Sequence, residues 1–152
     1  MTNPEALPMA FMQAFWEVWQ TLGARVDAAL TARHGLDLRA FITLAYVQGK
    51  ESGTDQPAAL ARATGVPRYE MSRILSYLEA QGSITRQSIR SDARRISVSA
   101  TPEGRALYAG AEKTVLEVVA PLLGQLGEPA TARLTEALRQ LAQSARAQGD
   151  LS

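Results

Sequence analysis

Five polar side chains recur on one side of a short stretch, Gly65 to Gly82, that reads GVPRYEMSRILSYLEAQG. Arg68, Tyr69, Ser72, Arg73 and Ser76 share that side at helical spacing, and Val66, Met71, Ile74, Leu75 and Leu78 make an apolar face opposite. The chemistry on offer is hydrogen-bond donation from planar cations and hydroxyls. A guanidinium donates two parallel bonds to a guanine edge in a major groove, and hydroxyls serve bases or phosphates. Scattered arginines are also the ordinary content of a solvated helix face, and this stretch alone leaves both readings open.

The elements around the stretch must hold it in place. Gly65 and Pro67 mark a turn, with Pro67 suited to the first helical position and Gly82 suited to a left-handed stop. Upstream, Pro57 to Thr64 forms a shorter helix with Leu60 and Ala61 facing inward. Two helices joined by a tight glycine-containing turn, the second basic at its start, match a helix-turn-helix. Downstream, Ile84-Thr85-Arg86 and Ile96-Ser97-Val98-Ser99 alternate apolar and polar residues and flank a charged, turn-prone tip, Ser88 to Arg95. This predicts a hairpin wing whose Arg90, Arg94 and Arg95 reach the sugar–phosphate backbone or a narrow minor groove. Asp92 reads as a turn residue that bonds nearby backbone or orients Arg94.

These residues resemble the MarR family (multiple antibiotic resistance regulators) of winged-helix repressors. The family pattern runs D-x-R, an apolar strand, then L-T-x-x-G. This chain has Asp92-Ala93-Arg94, Arg95-Ile96-Ser97-Val98-Ser99, then Ala100-Thr101-Pro102-Glu103-Gly104. Leu75, Leu78, Gly82 and Arg86 also fall where the family places such residues. The likeness is densest from Leu60 to Gly104, and the helix order extends it over nearly the whole chain. Ala100 replaces the usual leucine, and Pro67 stands where a capping serine is common. The resemblance implies a pseudo-palindromic double-stranded DNA operator and adds Arg86 to the DNA-facing set. It also implies a homodimer in which terminal helices of two subunits interleave. A cleft for small aromatic or phenolic anions, between dimer helices and winged-helix lobe, is implied as well, though not its ligand.

The rest of the chain is read in order. From about Met9 to Arg33 a long amphipathic helix carries Met12, Phe15, Trp16, Trp19, Leu22, Val26, Ala29 and Leu30 in three- and four-residue steps. Phe11 and Val18 widen the stripe beyond what a small winged-helix lobe needs. His34-Gly35 ends that helix, His34 as a capping residue, and Asp37 caps the next, Leu38 to Val47, whose Phe41, Leu44 and Ala45 face inward. Lys50 to Gln56 is a polar loop. After the wing, Thr101 caps a helix with Pro102 at its first position, and Pro121 is expected to kink or break it. Gly127-Glu128-Pro129 turns into a final helix with Leu134, Leu138, Leu141 and Ala145 at heptad-like spacing to near Ala147. An ordinary intrachain bundle accounts for part of this apolar area. Two reading helices set one helical turn apart by a two-fold dimer account for the arrangement better than a lone module.

Composition narrows the function classes. The 152 residues make one domain's worth of chain with a net charge of only +1. That charge is segregated: seven basic and three acidic residues lie between Arg62 and Arg95, for +4, and the remainder carries −3. With no cysteine and one histidine, disulfides, thiol redox sensing and multi-histidine metal sites are excluded. No glycine-rich phosphate loop or local catalytic constellation occurs, so neither an enzyme nor a cofactor is expected. No apolar run spans a bilayer and no signal pattern opens the chain, which predicts a cytoplasmic protein.

The expected fold is mainly α with a small β-hairpin wing, a single domain over 1–152. Within it 37–100 is the winged helix-turn-helix lobe, and 5–34 and 102–148 are dimerisation helices. The expected function is a sequence-specific DNA-binding regulator, a repressor released by a small aromatic ligand. A winged-helix module for protein–protein association, without ligand control, is the alternative. Trp16, Trp19, Tyr46 and Tyr108 are amphipathic rings suited to line an effector cleft, although tryptophan on a wide helix stripe is usually core or dimer interface.

Overall fold

The computed structural model describes residues 3–49, 56–89 and 92–149, with the backbone alone for 89 and 92–94. Arg90 and most of the Lys50–Gln56 loop therefore lie outside the described residues, as does the side chain of Arg94.

Six helices and one hairpin follow in the order α1 (Ala6–His34), α2 (Leu38–Gln48), α3 (Pro57–Thr64), α4 (Arg68–Ala80), β1 (Ile84–Ile89), β2 (Asp92–Ala100), α5 (Pro102–Leu126) and α6 (Glu128–Gly149). The boundaries have local causes. Gly35, at φ 67°, closes α1 by donating its N–H to the Thr31 carbonyl. Asp37 caps α2 by accepting from the Ala40 N–H at 2.7 Å. Pro57 opens α3, where a missing N–H is harmless. Pro67 is extended (ψ 149°) and flanks α4 rather than beginning it, so the first helical residue is Arg68. At the far end Gly82, at φ 76°, donates to Glu79 O at 3.0 Å, and Ser83 donates to Leu78 O at 2.9 Å. These two bonds make a Schellman stop, available because glycine carries no Cβ to oppose the left-handed turn.

The hairpin is antiparallel, pairing Ile84 with Ala100, Arg86 with Val98 and Ser88 with Ile96. Its strands are longer than the alternation predicts. The register shifts between Ser88 and Ile89, and β2 resumes at Asp92, so the expected tip contributes to the ladder instead of remaining a turn.

Two compact units divide inside α5, after Leu116. The first holds the core: Leu30 of α1, Leu36 of the turn that follows it, Leu44 and Val47 of α2, Leu60 of α3, Met71, Ile74, Leu75 and Leu78 of α4, with Ile84 and Val98 of the wing. In α2 the inward face is rotated from the expected one. Leu44 is buried, but Phe41 and Ala45 are half-buried while Ala40, Thr43 and Val47 go deeper. Phe41 instead stacks on Tyr108 with ring centroids 5.3 Å apart. In the second unit α6 buries no residue. Helix α5 continues across Pro121 and is not broken there. Among the described residues no helix is long and apolar enough to cross a membrane.

Candidate nucleic-acid interface

Helix α4 presents its polar side outward because its other side is committed to the core. Met71, Ile74, Leu75 and Leu78 are all at most 2% exposed, while Tyr69 is 80% exposed. Arg68, Ser72, Arg73 and Ser76 lie on the exposed side with Tyr69. Four of these five face solvent from the first two turns, as the spacing predicts.

Two carboxylates on α4 organise the arginines. Glu70 Oε2 accepts from Arg39 Nη1 of α2, and its Oε1 accepts from Arg73 Nη2 at 3.3 Å. Glu79 Oε1 accepts from Arg86 Nη2 at 3.3 Å, and the same nitrogen donates to Ser76 Oγ at 3.0 Å. Arg86 thus lies back against the reader, with a side chain 24% exposed, whereas Arg73 is 66% exposed. Arg95 is exposed on β2. Glu70 and Arg39 escaped sequence reading. The three-residue step from Glu70 to Arg73 was a readable signal; the partner on α2, 31 residues away, had none.

Helix α4 is fixed at both ends. The Tyr77 hydroxyl donates to the Gly35 carbonyl at 2.5 Å, tying α4 to the end of α1. At the other end Thr101 ties the start of α5 to the Gly82-Ser83 turn. Its N–H donates to Ser83 O at 3.0 Å, its hydroxyl donates to Gly82 O at 2.6 Å, and Thr101 Oγ1 also accepts from the Gly104 N–H at 3.0 Å. A Cβ at Gly104 would lie 2.0 Å from Ser83 O. The T-x-x-G spacing therefore has a physical meaning: a cap that doubles as a latch, and a backbone approach only glycine permits. His34, expected to cap α1, instead reaches α5, with Nε2 2.7 Å from Thr114 Oγ1; Gly35 makes the cap.

A family model described as MarR family matches residues 34–95, from the end of α1 into β2. A solved MarR family protein of Mycobacterium tuberculosis, in complex with p-aminosalicylic acid, is 29% identical with a TM-score of 0.70, over 86% of this chain and 96% of that one. Over residues 34–95 the chain is similar to the MarR family. Its winged-helix fold recurs in more distant structures. The regulator BldR of Sulfolobus solfataricus is 18% identical with a TM-score of 0.84, over 94% of this chain and 99% of that chain. A mutant MarR of E. coli complexed with operator DNA is 18% identical with a TM-score of 0.76, over 92% and 99%. A comparison with curated protein sequences found no match.

The rings expected to line an effector cleft have different surroundings. Trp19 borders a cavity of about 450 Å³ between α1 and α2, with Asp27, Asp37 and Arg39. Trp16 borders a neighbouring one of about 340 Å³, and Gln20 lines both. Both tryptophans are more than half exposed, and Tyr46 is 41% exposed. Tyr108 packs on Phe41; burial, then a hydrogen bond and negative charge from Glu112, raise its hydroxyl above the ordinary tyrosine pKa. A further cavity of about 310 Å³ opens between α3, α4 and the wing, with Met71, Leu75 and Ile96 beneath Arg68 and Arg86. Among the described residues no cluster of three or more metal-ligating side chains occurs.

Proposed function

We propose that this chain is a MarR-family transcriptional regulator that binds a pseudo-palindromic DNA operator as a two-fold homodimer and acts as a cytoplasmic repressor released by a small aromatic or phenolic ligand. The observation that carries the DNA reading is the outward side of α4, where Arg68, Tyr69, Ser72 and Arg73 stand exposed above a fully buried apolar face. Residues 37–100 form the DNA-binding lobe. In it α4 reads the major groove with Arg68, Tyr69, Ser72, Arg73 and Ser76, while Arg86, Arg90, Arg94 and Arg95 serve the backbone and the adjacent minor groove. Arg86 works from the base of the wing, because Ser76 and Glu79 hold it against α4. The E. coli relative complexed with operator DNA supports this assignment.

Residues 5–34 and 102–148 supply the dimer helices. On α1, Leu7, Met12, Phe15, Trp16, Val18 and Trp19 are 43–78% exposed, and on α6 Leu134, Leu138 and Leu141 are 36–48% exposed. Apolar stripes of that width call for a covering surface, and a second copy places two readers one helical turn apart. For the ligand, the relative holding p-aminosalicylic acid supports an aromatic acid. Trp16, Trp19, Tyr46 and Tyr108 remain the rings proposed to meet it.

Salt titration of binding to duplex DNA tests the reading. Affinity is expected to fall steeply, by about 0.9 logarithmic units per logarithmic unit of salt for each phosphate neutralised. A flat titration would instead favour a winged-helix module for protein–protein association. Titrating aromatic acids into the protein–DNA complex, following DNA release and tryptophan fluorescence together, tests the ligand. DNA release that survives Trp16→Phe and Trp19→Phe unchanged would assign both rings to structure.

A further inference from the structure

Glu70 stands in the first turn of α4, an acidic side chain beside the face assigned to DNA. A carboxylate there repels phosphate, so its placement needs a reason. The helix N-terminus favours it, but its partners say more. Its side chain is only 16% exposed, and each oxygen accepts from a different guanidinium, Arg39 from α2 and Arg73 from its own helix. Those two arginines are 54% and 66% exposed. Three charges on two elements thus carry a net +1 where Arg39 and Arg73 alone would carry +2.

We propose that Glu70 sets the sequence selectivity of the reader by competing with DNA phosphates for Arg39 and Arg73. The proposal rests on the DNA-binding reading and deepens it. A guanidinium has five donors in a rigid fork, so one edge held by Glu70 leaves another free. A guanine edge that meets the free edge of Arg73 leaves the Glu70 bond intact and gains from a side chain already fixed in place. A phosphate that draws either arginine away breaks a charge-assisted bond and strips a mostly buried carboxylate of a partner. Phosphates occur on every duplex and the matching guanine on few. Glu70 therefore weakens binding to DNA in general more than binding to the preferred site. It is a positioning residue that acts through the arginines and touches no base.

The test compares full-length wild type with Glu70→Gln on two duplexes of equal length, one selected from a random pool by the wild type and one unrelated. Releasing the arginines should steepen the salt slope on unrelated DNA by about 0.9 for each phosphate gained. At about 0.1 M salt that corresponds to roughly eightfold tighter binding per phosphate, taking 1 M as the point where counterion release vanishes. Affinity for the selected duplex should rise less, so the ratio between the two falls. Equal gains on both duplexes, or unchanged slopes, would overturn the proposal. Arg39→Gln gives an independent arm should Glu70→Gln fold poorly. If Glu70 keeps Arg39 off phosphate, that variant leaves the slope on unrelated DNA unchanged, whereas a drop of about 0.9 makes Arg39 an ordinary phosphate contact and sinks the idea. Wild type with no salt-dependent duplex binding would be a separate result, removing the DNA reading itself and the proposal with it.

Discussion

Gly104 and Gly110, both on α5, have opposite meanings. A Cβ at Gly104 would meet the Ser83 carbonyl oxygen at 2.0 Å, backbone against backbone, whereas one at Gly110 would meet His34 Cε1 at an ordinary 3.5 Å. Gly104→Ala is expected to cost at least about 1–3 kcal/mol, because neither strand of backbone moves cheaply. Gly110→Ala should be neutral or stabilising by up to about 1 kcal/mol, since alanine favours the helix. Urea unfolding of the two variants beside wild type checks the contrast; similar losses in both would mean that the close approach at Gly104 is not what the position requires. Tyr108 adds a pH dependence. Its folded pKa is raised by burial first and then by Glu112. The stabilisation is complete below the ordinary tyrosine value of about 10 and is lost as pH climbs through the raised folded value. Thermal melts through that alkaline window should show a decline that Tyr108→Phe reduces. At this scale the sequence was legible wherever the cause is local. Asp37, Gly82 and Thr101 sit beside the backbone groups they serve. The bonds from Arg86 to Ser76 and Glu79, and from Arg39 to Glu70, were not legible, because periodicity gives a residue's face and not the side chain waiting across from it.

Helix α4 is the element on which function turns, and its apolar period was enough to place Arg68, Tyr69, Ser72 and Arg73 outward. Its start was harder: Pro67 fits either the first helical position or the flank, and only its ψ of 149° decides for the flank. Arg68 then leads the helix and is exposed to solvent, the geometry suited to a base edge. Arg68→Ala is expected to cost on the order of 1–3 kcal/mol on the selected duplex and to relax preference at one base position. Selection from a random pool by the variant reads this directly, and a uniform loss across sequences would make Arg68 a phosphate contact. The wing was legible as a hairpin but too short by several residues. Alternation identified the apolar cores of β1 and β2, while the shifted pairing beyond Ser88 depends on cross-strand geometry that no single strand displays. Helix α5 corrected a stronger expectation, since one proline was not enough to end it. Losing one backbone bond costs less than a favourable long helix returns.

At the scale of the molecule, the largest expectation concerns assembly. A helix of 22 residues that buries none of them is poorly stable alone, and α6 has that character. If a second copy covers it, the melting temperature should rise with protein concentration, and a chain truncated before Glu128 should aggregate or unfold. Sedimentation and concentration-dependent melts decide; a stable truncated monomer with full operator affinity would end the dimer reading. The stripe of Leu134, Leu138 and Leu141 was visible in the sequence, but what covers it was not, because hydropathy records a need without naming the surface that meets it. The Thr101 latch has a different kind of consequence. By joining the residue after β2 to Gly82 and Ser83, just before β1, it ties the hairpin off at its neck, as a drawstring closes a bag. Residues added to or removed from the outer hairpin change how far it extends without pulling on the reader. Over evolutionary time, then, the protein is free to adjust its span along a duplex by insertion and deletion, one part lengthening while the other keeps its aim.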